Sequence, residues 1–168
     1  KQRITGQNLR ASAVLIPIFR SQGQYYVLFT ERSDEVVFHK GQVCFPGGTQ
    51  EPSDSSLLQT ALREAEEEVG LEAKDIEVLG ELDDMLTFVT SYVISPFVAF
   101  IPHPHSLKTD GSEVKGTFSV PLSFLTDEAN FKQDSYAYEY EGHIIWGATV
   151  RILRQLIDLL KSESGALG

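Results

Sequence analysis

FPGGTQEPSDSSLLQTALREAEEEVGL, residues 45–71, opens on a proline–glycine turn and closes on a run of glutamates. Ser53, Asp54, Ser55 and Ser56 offer oxygens that can cap a helix N-terminus, and Gly70 supplies a C-terminal stop. The spacing between them predicts a helix over Ser55–Val69. At about 100° per residue, Leu58, Leu62, Ala65 and Val69 share a narrow arc and should face a core. Glu64, Glu67 and Glu68 share a different arc, with Glu66 set apart. Arg63 precedes Glu67 by four residues, a spacing at which the two can pair.

An acidic run of this kind is often a solvated helix face. Its arrangement also suits another role. Carboxylates at i, i+3 and i+4 repel one another, and Glu67 and Glu68 lie near the helix C-terminus, where negative charge is unfavourable. A divalent cation would turn that repulsion into coordination. Oxygen ligands without His or Cys favour magnesium or manganese over zinc. Gly47 and Gly48, just upstream, allow positive φ and a close approach of backbone to a metal or phosphate.

Outward from this segment, apolar runs predict strands near Ala11–Phe19, Tyr25–Thr30, Gln42–Phe45, Ile76–Leu79, Tyr92–Ile101, Glu113–Ser119, Ser135–Tyr140 and His143–Ile145. Glu141-Gly142 reads as the turn between the last two. A second helix is expected over Ala148–Leu160, where Val150, Leu153, Leu156, Ile157 and Leu160 form a packing stripe. A short helical turn is expected near Pro121–Leu125. Many strands with two long helices imply a mixed sheet covered by helices, an α/β sandwich. The 168 residues suit a single domain, 1–168, and contain no repeat or linker.

The net charge of −10 argues against nucleic acid as a partner, since such proteins present basic surfaces. No apolar run approaches the roughly 20 residues that a bilayer needs, so no membrane span is expected. The single cysteine, Cys44, excludes an internal disulfide and fits a reducing compartment, with the cytoplasm the expected location. Its apolar neighbours point to a packed thiol. The C-terminal Ala166-Leu167-Gly168 is not itself a peroxisomal address, and a peroxisomal location stays open as the alternative. Oligomeric state is open, a homodimer included.

Arg63-Glu64-Ala65-Glu66-Glu67-Glu68-Val69-Gly70-Leu71 resembles the second half of the Nudix hydrolase box, G-x5-E-x7-R-E-U-x-E-E-x-G-U, where U is aliphatic. The first half departs: counted from Gly48, the glutamate position holds Asp54, and eight residues rather than seven precede Arg63. This is a one-residue insertion, and it puts any role for Asp54 in question. The resemblance implies an α/β/α sandwich with a mixed sheet between helices, and hydrolysis of a nucleoside diphosphate linked to another group. It also implies Glu64, Glu67 and Glu68 as ligands of Mg2+ or Mn2+, with a carbonyl at Gly47 or Gly48 as a further ligand.

Upstream, Leu28-Phe29-Thr30-Glu31-Arg32-Ser33, His39-Lys40-Gly41-Gln42-Val43 and Phe45-Pro46-Gly47-Gly48 resemble the added motif of the coenzyme A diphosphatase branch, roughly L-L-T-x-R-S followed by G-x3-F-P-G-G. Phe29 replaces one leucine. Tyr138 to Thr149 resembles the C-terminal part of the same branch. The resemblance implies coenzyme A as the small-molecule nucleotide substrate, cut to 3′,5′-ADP and 4′-phosphopantetheine. Other diphosphates such as ADP-ribose or a dinucleotide remain open, as does a non-catalytic binding module. Arg32, His39 and Lys40 are cations close to the glycine turn that could meet substrate phosphates; surface pairing with Glu31, Asp34 or Glu35 is the alternative.

Glu67, oriented by Arg63, is the leading candidate for general base, and Glu113 is a second. Asp83, Asp84, Thr87 and Thr90 could line a cleft or form a polar loop. Trp146 could stack on a base or pack in the core. His103 and His105 read as an exposed loop.

Overall fold

The computed structural model describes residues 1–33, 42–87, 91–104, 107–109, 111 and 113–166. His39, Lys40, Thr90 and His105 lie outside the described residues. The chain runs β1 (Arg10–Ser21), β2 (Gln24–Arg32), β3 (Val43–Cys44), β4 (Gly47–Thr49), α1 (Leu57–Val69), β5 (Glu77–Glu81), β6 (Met85–Leu86) and β7 (Tyr92–Phe100). It continues with β8 (Val114–Pro121), α2 (Leu122–Thr126), β9 (Phe131–Lys132), β10 (Ala137–Tyr140), β11 (His143–Ile145) and α3 (Gly147–Ala166).

β1 is the axis of the fold. It pairs in parallel with β7 and antiparallel with β2 and β4, which makes the sheet mixed. The main path is β3-β2-β1-β7-β5, with β8 alongside β2 and β6 alongside β7. A sheet covered on both faces needs a central strand apolar on both, and β1 is one. Ala13, Leu15 and Phe19 join Ala61, Ala65 and Val69 of α1 in one core layer. Ile16 and Ile18 join Val150, Leu153 and Ile157 of α3 in the other. The expected sandwich of helix, mixed sheet and helix is therefore observed. β9, β10 and β11 form a second, three-stranded sheet.

Two tight connections follow their sequence. Gln22-Gly23 (φ 48° and 81°) and Glu141-Gly142 (φ 47° and 82°) both place two consecutive residues in the left-handed region. Two-residue antiparallel hairpins favour that conformation because it matches strand twist.

Several expected boundaries shift. α1 starts at Leu57 because Ser56 is its cap: its Oγ accepts the Gln59 N–H at 3.1 Å. Gly70 ends it at φ 72°, as the glycine stop requires. The buried arc of α1 is rotated from the one expected. Leu58 and Leu62 are only partly buried, while Thr60, Ala61 and Glu68 join Ala65 and Val69 inside. The small side chains of Ala61 and Ala65 set the helix close against the sheet, which carries Glu68 inward with them. Gly47 and Gly48 belong to a strand, β4, instead of opening a turn. α3 extends six residues past the expected Leu160. Among the described residues, no helix is long and apolar enough to cross a membrane.

Candidate metal and substrate site

β4 lies antiparallel to β1, with Gly48 opposite Ala13 and Gly47 opposite Val14. Neither glycine has positive φ; what each needs is space. A Cβ on Gly48 would lie 2.4 Å from Glu64 Oε1, and one on Gly47 would lie 2.3 Å from the Ala13 carbonyl oxygen. Bare backbone thus lets β4 sit directly against the acidic face of α1. The Gly47 N–H donates to Glu68 Oε2 at 3.3 Å.

Glu64, Glu68 and Glu113 each place a carboxylate oxygen within 4.8 Å of the others. Two come from α1, one turn apart. Glu113 comes from the segment entering β8, where its carbonyl accepts the Ser33 N–H at 2.9 Å. Glu68 is 7% exposed. Burial first, and then the neighbouring Glu64, push its carboxyl up to about 8, against the pull of the Gly47 N–H. Burial also raises Glu64, opposed by Arg63. Three converging carboxylates, two of them desolvated, form a set of hard oxygen donors. That set fits Mg2+ or Mn2+ and lacks the soft or imidazole ligands that zinc prefers. A cation would offset the burial cost that now favours protonated Glu68.

Glu67 stands apart from this group. Its side chain is 60% exposed and its Oε2 accepts from Arg63 at 3.3 Å, the expected i,i+4 pair. The structure therefore brings Glu64 and Glu68 together as expected, leaves Glu67 on the rim, and adds Glu113. Sequence spacing could not place Glu113 there, because the pairing of β8 with β2 delivers it.

Arg63 is the hub beside the cluster. Its guanidinium donates to Glu64 Oε1 at 3.0 Å, to the Thr49 carbonyl at 3.2 Å and to both oxygens of Asp54. The Asp54 carboxylate is almost fully enclosed and also accepts the Thr60 hydroxyl at 2.9 Å. These bonds, the Arg63 pair foremost, hold it well below the usual carboxylate range. Asp54 thus has a defined structural place despite the insertion behind it.

Arg32 ends β2 opposite Val114, the residue after Glu113. Among the described residues its buried Nε has no hydrogen-bond partner, and its charge draws down both the Cys44 thiol and the Glu68 carboxyl. Cys44 is a packed thiol as expected: burial pushes it up, and Sγ lies 3.3 Å from Thr30 Oγ1.

Asp83, Asp84 and Thr87 serve structure. Asp84 bonds Ser95 Oγ at 2.6 Å and Lys1 Nζ at 2.6 Å, Asp83 accepts the Gln2 N–H at 2.5 Å, and Thr87 Oγ1 bonds the Tyr92 backbone. Trp146 is half exposed, and His103 packs edge-on against Phe19.

The NUDIX domain family model matches residues 9–138. A Photorhabdus laumondii protein described as "Uncharacterized Nudix hydrolase NudL" is 38% identical over 159 residues, covering 89% of this chain and 84% of its own. A Yersinia enterocolitica protein of the same description is 38% identical over 159 residues, covering 89% and 80%. Among solved structures, a C. elegans Ap4A hydrolase binary complex overlays with TM-score 0.64 at 15% identity, covering 92% of this chain and 99% of that one. The NUDIX domain of Shewanella oneidensis NrtR complexed with ADP ribose overlays with TM-score 0.65 at 17% identity, covering 92% and 90%. These structural likenesses bear on the fold. With the acidic helix, the glycine strand beside it and a family match over most of its length, the chain belongs to the Nudix hydrolase family.

Proposed function

We propose that the protein hydrolyses the diphosphate bridge of coenzyme A or its derivatives, giving 3′,5′-ADP and 4′-phosphopantetheine. The observation that carries the chemistry is the Glu64–Glu68–Glu113 cluster beside Gly47 and Gly48. The substrate reading rests on the resemblance of Leu28–Ser33 and Gly41–Gly48 to the coenzyme A diphosphatase motif.

Glu64 and Glu68, with Glu113 closing the group, would hold Mg2+ or Mn2+, which lowers the pKa of bound water and neutralises diphosphate oxygens. Arg63 fixes Glu64 and Glu67 together by donating to both. Glu67 is exposed on the rim with its Oε2 tethered to Arg63, and its carboxylate would accept a proton from attacking water. Arg32, whose charge reaches Glu68, is assigned to a substrate phosphate oxygen. Gly47 and Gly48 are assigned to substrate binding through their backbone atoms, and their lack of a side chain keeps β4 against β1 and Glu64. His39 and Lys40 belong to the same substrate motif and are assigned with Arg32 to binding.

The test is hydrolysis of coenzyme A in excess magnesium with mass-resolved products, comparing the unaltered protein with Glu67→Gln. Adenosine 3′,5′-bisphosphate and phosphopantetheine are expected from the unaltered protein, at a rate the variant does not approach. Brisk cleavage of ADP-ribose with none of coenzyme A would overturn the substrate and keep the chemistry.

A further inference from the structure

In a chain of net charge −10, an arginine without a carboxylate partner is informative. Arg10 is one: it is exposed and forms no ion pair among the described residues. It begins β1 directly opposite Tyr92 of β7, and its guanidinium carbon sits 5.8 Å from the Tyr92 ring centroid. Arg10 Nη1 donates to the Tyr92 oxygen at 3.4 Å, and Thr49 Oγ1 reaches the same oxygen at 3.4 Å.

Thr49 ties this group to the site. It follows Gly48, whose backbone packs on Glu64, and its carbonyl accepts Arg63 Nη2 at 3.2 Å. Arg10 therefore reaches the site through Tyr92 and Thr49, the β4 residue that follows Gly48. Because Arg10 and Thr49 both donate to the phenol oxygen, the Tyr92 O–H remains free to donate to a ligand. The same two bonds lower the phenol below its ordinary range, which makes it a stronger donor. A guanidinium and a hydroxyl donor converging at one exposed point suit the oxygens of a phosphomonoester.

We infer that Arg10, Tyr92 and Thr49 form a subsite for a phosphomonoester carried by the substrate beyond its diphosphate. This rests on the coenzyme A reading, in which the candidate group is the ribose 3′-phosphate. The Arg10 guanidinium meets its charge, the Tyr92 hydroxyl donates to one oxygen, and Thr49 holds the phenol in place.

The experiment measures kcat/KM for coenzyme A and for dephospho-coenzyme A, which lacks that phosphate, in the unaltered protein, Arg10→Ala and Tyr92→Phe. The unaltered protein is expected to favour coenzyme A by about tenfold or more, as one charge-assisted contact supplies. Arg10→Ala should bring the ratio near one, mainly through KM for coenzyme A, and Tyr92→Phe should reduce it in part. Arg10→Lys, which keeps the charge, should retain an intermediate ratio. An unchanged ratio in Arg10→Ala, or equal losses on both substrates, overturns the subsite while leaving the coenzyme A reading intact. If the unaltered protein cleaves neither compound, the coenzyme A reading falls and the subsite falls with it.

Discussion

Asp54 grips Arg63 through two hydrogen bonds, 2.9 Å to Nε and 3.0 Å to Nη2. The family box places a glutamate at this position with seven residues before the arginine; here a shorter aspartate stands there with eight. The extra residue and the shorter side chain end in one bidentate contact, so the arginine that tethers Glu64 and Glu67 is itself anchored. Asp54→Asn should lower kcat by roughly tenfold, because a neutral amide cannot accept both guanidinium bonds with the same strength. Steady-state kinetics beside a melting curve check this. Arg63→Lys should not substitute, since an ammonium cannot make the fork. A kcat within twofold of the unaltered protein in Asp54→Asn would refute the positioning role.

The two glycines of β4 are expected to fail differently. A Cβ on Gly48 meets Glu64 Oε1 at 2.4 Å, the far end of a side chain that can turn away. A Cβ on Gly47 meets the Ala13 carbonyl oxygen at 2.3 Å and the Val14 Cα at 2.8 Å, which are backbone atoms of the central strand. Gly48→Ala should therefore fold and lose activity by displacing Glu64. Gly47→Ala should lose about 1–3 kcal/mol of stability, as overpacking does. Denaturant unfolding and magnesium-dependent turnover on both variants separate the cases; equal stability losses would contradict the assignment.

The α1 register shows where sequence was legible and where it stopped. Ser56, Gly70 and the periodicity between them located the helix to within two residues, because capping and apolar spacing are local. The inward arc is only partly the expected one: Ala65 and Val69 are buried and Leu58 packs against the core, yet Ala61 is buried too while the larger Leu62 is not. Closeness to β1 decided that, and closeness is a tertiary property. Glu64 and Glu68 were legible from helical spacing, and so was the Arg63–Glu67 pair. Glu113 joins them only through the pairing of β8 with β2, and Arg10 and Tyr92 meet only because β1 and β7 run in parallel register. No local pattern carries such contacts.

Glu68 should make the proposed metal site sensitive to pH. Its carboxyl is raised to about 8 in the folded chain, mainly by burial, whereas an unfolded glutamate titrates at about 4.3. The folded state therefore binds this proton more tightly. Its contribution to stability is complete below about pH 4.3 and is lost as pH rises towards about 8. A divalent cation must displace that proton. Magnesium affinity should rise with pH below about 8, by up to about tenfold per unit for one proton released. Calorimetry at pH 7 in two buffers of different ionisation enthalpy would count the proton, and Glu68→Gln should release none. Binding without proton release by the unaltered protein would contradict this account.

Glu113 and Glu67 should separate cleanly. Glu113 reaches within 4.8 Å of the Glu64 and Glu68 oxygens, whereas Glu67 is tethered on the rim by Arg63 at 3.3 Å. If Glu113 helps hold the cation, Glu113→Gln should raise the magnesium concentration for half-maximal rate by about tenfold, and saturating metal should recover much of the activity. If Glu67 acts as base, Glu67→Gln should lower kcat by a factor on the order of 10²–10⁴ at any metal concentration. The measurement is turnover against magnesium from micromolar to tens of millimolar for both variants, repeated at several pH values. The converse result, with Glu67→Gln rescued by metal and Glu113→Gln not, would exchange their roles. It would place Glu67 on the cation once substrate is bound and make Glu113 the proton acceptor.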